Sequence, residues 1–240
     1  MRNVTGLMVA WFAVGGVLLA AGCNRGGDNT SEETMASIAG SGGELGKNPP
    51  PPGTPREANP GARDTGPSRP IIEIKTTLGT ISVELYPEKA PFTVDNFRKY
   101  VKDGSYNGTI FHSAVKDYVV IGGGYTPDRR AKPARVPVDN EAAKNPLKNV
   151  RGTIAMVRKP NAPHSATSQF FVNVADNPHL DYRGPSDEQY GYCVFGKVIY
   201  GQAVVDRIAA VSTHDEKGTD KDFDFLPDKD VVIESVRQVQ

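Results

Sequence analysis

The chain carries no net charge and almost no cysteine. Its 28 basic side chains are matched by 28 acidic ones across 240 residues, and from residue 71 onward the balance holds at 22 against 22. Binding nucleic acid by neutralising phosphates needs a basic excess, so that class is excluded. Cys23 and Cys193 are the only cysteines. Two cannot build a disulfide scaffold, and no Cys-x-x-Cys offers a structural zinc site. Long apolar runs are also missing. The one over residues 7–21 is broken by Gly15-Gly16 and falls short of the ~20 residues of a membrane-spanning helix.

Several chemical signatures are absent too. The four histidines (His112, His164, His179, His214) never stand four apart, which excludes a helical metal pair. No Gly-x-Ser-x-Gly elbow occurs. Asp220, Asp222 and Asp224 mimic the start of a calcium loop, but Phe225 holds the glycine position and Val231 the glutamate position, so a solvated acidic loop is expected. Gly122-Gly123-Gly124 lacks phosphate-loop spacing and predicts a tight bend after a buried strand. His112-Ser113 looks like a base beside a nucleophile, yet adjacent residues of a strand point to opposite faces and do not pair.

What is present falls into three parts. Residues 1–23 read as an export signal, with Arg2 before the apolar run and Leu19-Ala20-Ala21-Gly22-Cys23 at its end. Small residues before a cysteine resemble the lipobox of bacterial lipoproteins, which implies a lipidated Cys23. The protein is then expected in the cell envelope, held to a membrane on its non-cytoplasmic side. The alternative is a plain secretory signal and a soluble secreted or periplasmic protein. Residues 24–70 contain eight of the 19 prolines, two Gly-Gly pairs and almost no large apolar side chains. Such a stretch cannot bury enough surface to offset its ordering entropy, so a disordered Gly/Pro-rich tether is expected, with a coil-like reach of roughly 35–40 Å.

From residue 71 the pattern becomes that of a folded domain, 71–240. Ile72, Ile74 and Thr76 alternate with polar residues, as do Ile81, Val83 and Leu85 beyond a turn at Leu78-Gly79. That predicts a hairpin with one buried face. A helix over about 92–103 follows Pro91, burying Val94, Phe97 and Val101 and ending at Gly104. Strands are expected over 109–115, 118–121, 153–157, 169–174, 193–199 and 231–239, and a second helix near 202–210. Many short strands and two helices suggest a mainly β fold, a closed antiparallel barrel capped at its ends.

Six ordered motifs then resemble the cyclophilins, the peptidyl-prolyl cis-trans isomerases. They are Tyr106-Asn107-Gly108-Thr109-Ile110-Phe111-His112, Gly122-Gly123-Gly124, Asn149-Val150-Arg151-Gly152-Thr153-Ile154-Ala155-Met156, Ala162-Pro163-His164-Ser165-Ala166-Thr167-Ser168-Gln169-Phe170-Phe171, Tyr192-Cys193-Val194-Phe195-Gly196-Lys197-Val198 and Gly201-Gln202-Ala203-Val204-Val205-Asp206. The resemblance runs through most of 71–240 and is closest to short bacterial members. It implies an eight-stranded barrel closed by two helices, rotation about X-Pro bonds without a cofactor, and a monomer meeting X-Pro peptides or unfolded exported proteins.

By resemblance, Tyr118, Val119, Phe171 and Leu180 line the proline pocket, with Phe111 below, Tyr192 at the edge and His179 where some members carry an aromatic. His112 is carried over among the peptide-contacting positions. Gln169 and the main chain of Val157 and Arg158 hold the peptide. The polar half of the family site differs. Ser113 stands where the family has its catalytic arginine, and Ile121 where it has the glutamine that orients it. Serine is too short and uncharged to supply a charge-assisted donor. Compensation by Arg158, Arg129 or Arg130 is the alternative, and the sequence does not place their guanidinium groups. The expectation is an isomerase-family protein with weak or absent turnover, or a binding module that grips X-Pro segments without turning them over.

Overall fold

Ile72 and Ile74 on one strand, and Ile81, Val83 and Leu85 on the next, are fully buried, whereas the residues between them are not. This is the alternation of a pleated strand with one face on a core. The computed structural model describes residues 69–145, 147–216 and 223–240. The expected signal at 1–23 with Cys23, the tether at 24–68, and Asp220 and Asp222 lie outside the described residues. Arg69 and Pro70, assigned to the tether, sit on the barrel. Arg69 pairs with Glu84 at 3.2 Å and Glu88 at 2.7 Å, and the Leu85 N–H donates to the Pro70 carbonyl at 2.9 Å.

The described chain runs β1 (Ile71–Thr76), β2 (Gly79–Leu85), α1 (Pro91–Lys102), β3 (Thr109–Ala114), β4 (Val119–Gly122), β5 (Thr153–Met156), β6 (Phe170–Asn173), a 3-10 turn (Pro178–Leu180), β7 (Val194–Tyr200), α2 (Gln202–Ala209), β8 (Thr213–His214), β9 (Leu226–Pro227) and β10 (Val231–Gln238). Eight of these strands close into a barrel in the order β1-β10-β3-β4-β6-β5-β7-β2, every neighbour antiparallel. The fold is therefore the expected one, mainly β with two helices. The pair β8–β9 was not expected, because two-residue strands are too short to show an alternation.

Both helices bury one face in the barrel's core. Val94, Phe97, Tyr100 and Val101 of α1 join Val204, Val205 and Ile208 of α2 in a single buried cluster with the inward strand residues. Phe97 lies at its centre, with its ring 5.0 Å from Phe195, 5.1 Å from Tyr106 and 5.7 Å from Phe170. Each such ring, fully buried, contributes roughly 1.5–3 kcal/mol. Ala90 offers α1 no side-chain cap. The Glu141 carboxylate takes that place, accepting from the Phe92 N–H at 3.3 Å, the Thr93 N–H at 2.8 Å and the Thr93 hydroxyl at 2.7 Å.

Gly122-Gly123-Gly124 does form a bend after a buried strand, and close packing explains it. A Cβ on Gly123, at φ +86°, would lie 2.8 Å from Tyr106 and 2.9 Å from Phe170. One on Gly124 would lie 2.6 Å from the Gln169 side chain.

Candidate functional site

Residues of four strands, β4, β5, β6 and β7, form a second apolar cluster, separate from the core, with Ser113 of β3 at its edge. Strand register builds it: Ser113 on β3 pairs with Ile121 on β4, Ile121 with Phe171 on β6, Phe171 with Ala155 on β5, and Ala155 with Val194 on β7. Side chains in register on one face are neighbours, so one row runs from Ser113 across Phe171 to Val194. Tyr118, Val119, Val115 and Leu180 pack into this cluster, with Ile121, Leu147, Val157 and Tyr192 partly buried at its margin. Tyr118, Val119, Val157, Phe171, Leu180 and Tyr192 are thus brought together, along with Ser113 and Ile121.

The remaining expected positions lie elsewhere. Phe111 is fully buried in the inner core. A bulge between Phe111 and Ser113 interrupts β3, and His112 turns edge-on to Tyr125, ring centroids 4.9 Å apart. The separation of His112 from Ser113 therefore involves this bulge and does not follow from plain alternation alone. Gln169 lies over Gly124 beyond the end of β4, and its carbonyl accepts from the Val157 N–H at 3.0 Å. That N–H is accordingly occupied within the fold.

At the rim, the His179 ring stacks on Tyr118 at 10° and 5.4 Å, with Nε2 3.0 Å from the Tyr118 hydroxyl. Burial pushes the Tyr118 phenol well up, and burial likewise raises Tyr192 to about 12. Desolvation, seconded by the charge of Arg183, pulls the His179 imidazole below its ordinary value, against a smaller pull from Asp181. Each of these shifts favours the neutral form of the group.

The three arginines weighed as substitutes for the missing one are engaged with groups other than Ser113. Arg158 is buried and donates to the carbonyls of Gly191 at 3.0 Å, Asp187 at 2.8 Å and Lys159 at 3.2 Å, its guanidinium 4.9 Å from the centre of the Tyr192 ring. Arg129 pairs with Asp230 at 3.0 Å and faces Glu216 at 3.6 Å. Arg130 pairs with Asp128. Arg158 thus holds the edge of the pocket by bracing Tyr192.

Sequence reasoning missed four buried asparagines that hold the pocket's backbone. Asn177 Nδ2 donates to the carbonyls of Tyr118 at 3.1 Å and to Asn173 Oδ1 at 2.7 Å. Asn149 Nδ2 donates to Leu180 O at 3.0 Å and Tyr192 O at 3.3 Å, and Asn145 Nδ2 to Val194 O at 2.6 Å. Asn173 is tied to Thr153 at 2.9 Å. A buried amide must find partners, so Asn173 directly after the apolar run Phe170-Phe171-Val172 was the available signal.

Comparison with known proteins agrees with this geometry. The family model described as "Cyclophilin type peptidyl-prolyl cis-trans isomerase/CLD" matches residues 71–238. Peptidyl-prolyl cis-trans isomerase B of Escherichia coli K12 is 45% identical over 166 residues, covering 69% of this chain and 98% of that protein. A peptidyl-prolyl cis-trans isomerase of Acinetobacter baylyi is 51% identical over 143 residues, covering 60% of this chain and 73% of that protein. Among solved structures, a Cryptosporidium parvum cyclophilin type peptidyl-prolyl cis-trans isomerase shares the fold, with TM-score 0.56 and 24% identity over 72% of this chain and 99% of that one.

Proposed function

The chain belongs to the cyclophilin-type peptidyl-prolyl cis-trans isomerase family, and we propose that it binds X-Pro segments of exported proteins at the Phe171 row while turning them over slowly or not at all. The observation that carries this reading is the row itself: an apolar shelf retained from Ile121 to Val194, with Ser113 at the position where a cation is needed.

Rotation about a prolyl bond must break amide resonance, against a barrier of about 18–20 kcal/mol. A pocket assists by holding the proline ring while the flanking carbonyl swings and by donating a hydrogen bond that weakens the resonance. Phe171, Val119, Leu180 and the Tyr118 ring supply the first part. Ser113 and Ile121 do not supply the second. Removing one preorganised donor costs roughly 10²–10³-fold in rate, about 3–4 kcal/mol. The engagement of Arg158, Arg129 and Arg130 elsewhere supports the same conclusion. The binding-module reading is the limit of this one, with turnover at zero. Either way the domain would work from a tether at residues 24–68, anchored through Cys23.

The test is prolyl isomerisation by NMR exchange at micromolar full chain, comparing the wild type with Ser113→Arg and with Ser113→Arg/Ile121→Gln. The wild type is expected to accelerate the exchange little, and the double variant to gain about 10²-fold or more. A wild type already as fast as the double variant would overturn the assignment of Ser113. Proline peptides that leave the amides around Phe171 and Leu180 unshifted would remove the binding function as well.

A further inference from the structure

Beside the proline site, residues 142–145 with Leu147 and Lys148 leave a cavity of about 380 Å³ against Tyr182, Tyr192 and Val194. Leu147, Tyr192 and Val194 line this cavity and also belong to the apolar cluster around Phe171. The two features therefore share a wall. Their polar character differs, because Lys144 and Lys148 line the cavity and no acidic side chain does among the described residues. Lys144 is exposed. Lys148 is 60% exposed and reaches Asp181 only at 3.7 Å. The Oδ1 of that carboxylate accepts from the Asn149 backbone N–H at 2.8 Å and Nδ2 at 3.2 Å, leaving only Oδ2 toward Lys148. Two ammonium groups thus stand over an apolar floor next to the pocket.

We propose that this cavity is a substrate subsite for an acidic side chain of the bound peptide, two or three residues from the proline. The inference rests on the reading that the Phe171 row holds X-Pro. The Tyr192 ring centroid lies 5.5 Å from that of Phe171, and an extended chain advances ~3.3 Å per residue. A peptide seated on Phe171 therefore clears the Tyr192 ring within two or three residues. A glutamate there lays its methylenes on Val194 and Leu147 while its carboxylate meets Lys144 and Lys148, a split of apolar floor and charged rim that a neutral or basic side chain does not match. The pairs are exposed to solvent, so the preference is modest and fades with salt.

The experiment titrates the full chain with Ala-Pro heptapeptides by NMR, each carrying glutamate, glutamine or lysine two or three residues from the proline on either side, beside an all-alanine reference. On one side of the proline, glutamate is expected to bind about three- to tenfold tighter than glutamine at low salt. It should shift the amides of Leu147 and Tyr192 and lose its advantage in 0.5 M salt, a concentration at which the Debye length is on the order of a few Å. Lys144→Glu/Lys148→Glu should reverse the order of glutamate and lysine peptides and leave the all-alanine peptide unchanged. A glutamate-to-glutamine ratio of one in the wild type, or a ratio that survives the double reversal, would overturn the subsite while leaving the proline site standing. Failure of the all-alanine peptide to bind would overturn both.

Discussion

His179 is exposed at the rim but packs its ring on Tyr118, with Nε2 3.0 Å from the hydroxyl, and desolvation holds its imidazole below the usual 6.5. With the folded value depressed, the unfolded chain takes up the proton first as pH falls. The stabilising contribution of neutral His179 is whole above about pH 6.5 and is lost as pH drops through the folded value. An NMR titration of the His179 ring is expected to show a midpoint below 6.5. Thermal melts at pH 7.5 and pH 5 should show a smaller acid loss for His179→Phe than for the wild type. A midpoint at or above 6.5, or equal losses in both proteins, would mean that the ring is effectively solvated. The same residue marks how far the site was legible. Its place at the rim came from resemblance alone, and its contact with the Tyr118 hydroxyl joins residues 61 apart, beyond the reach of any local pattern. Ser113 and Ile121 were legible as departures from the family, and their pairing across β3 and β4 follows from register.

Among the elements, α1 shows what periodicity carries and what it does not. Val94, Phe97 and Val101 at helical spacing placed the helix within a residue at each end. Nothing nearby in sequence caps its start, because the cap is Glu141, 48 residues on from Thr93. Glu141→Ala removes an acceptor from two backbone donors and an anion from a helix N-terminus. The expected cost is about 1–2 kcal/mol, read as a melting temperature several degrees lower, with Glu141→Gln retaining part of the difference. A melt unchanged by Glu141→Ala would mean that water replaces the carboxylate without loss. The asparagine contacts escaped the sequence for the same reason. Asn177 and Tyr118, or Asn149 and Tyr192, meet only once the sheet has closed. Strand alternation is local and visible; satisfaction of buried amides is long-range and is not.

For the whole molecule, the anchor reading concerns residues 1–70 and is open to a direct test. Cys23→Ser in cells is expected to move the protein from the membrane pellet to the soluble fraction and to abolish lipid labelling. An unchanged distribution would favour the plain secretory alternative or a retained apolar anchor. The barrel at the other end of the chain carries a different constraint. Its last strand, β10, lies between β1 and β3, with Ile72 opposite Gln238 and Phe111 opposite Val231. Until β10 has been made, β1 and β3 each present a bare row of backbone donors and acceptors to anything that can pair with them. Closure of this sheet must therefore wait on β10, and loop closure over most of the domain makes that step slow. The isomerase domain thus has, during its own synthesis, two open sheet edges that β10 alone pairs with in the finished barrel.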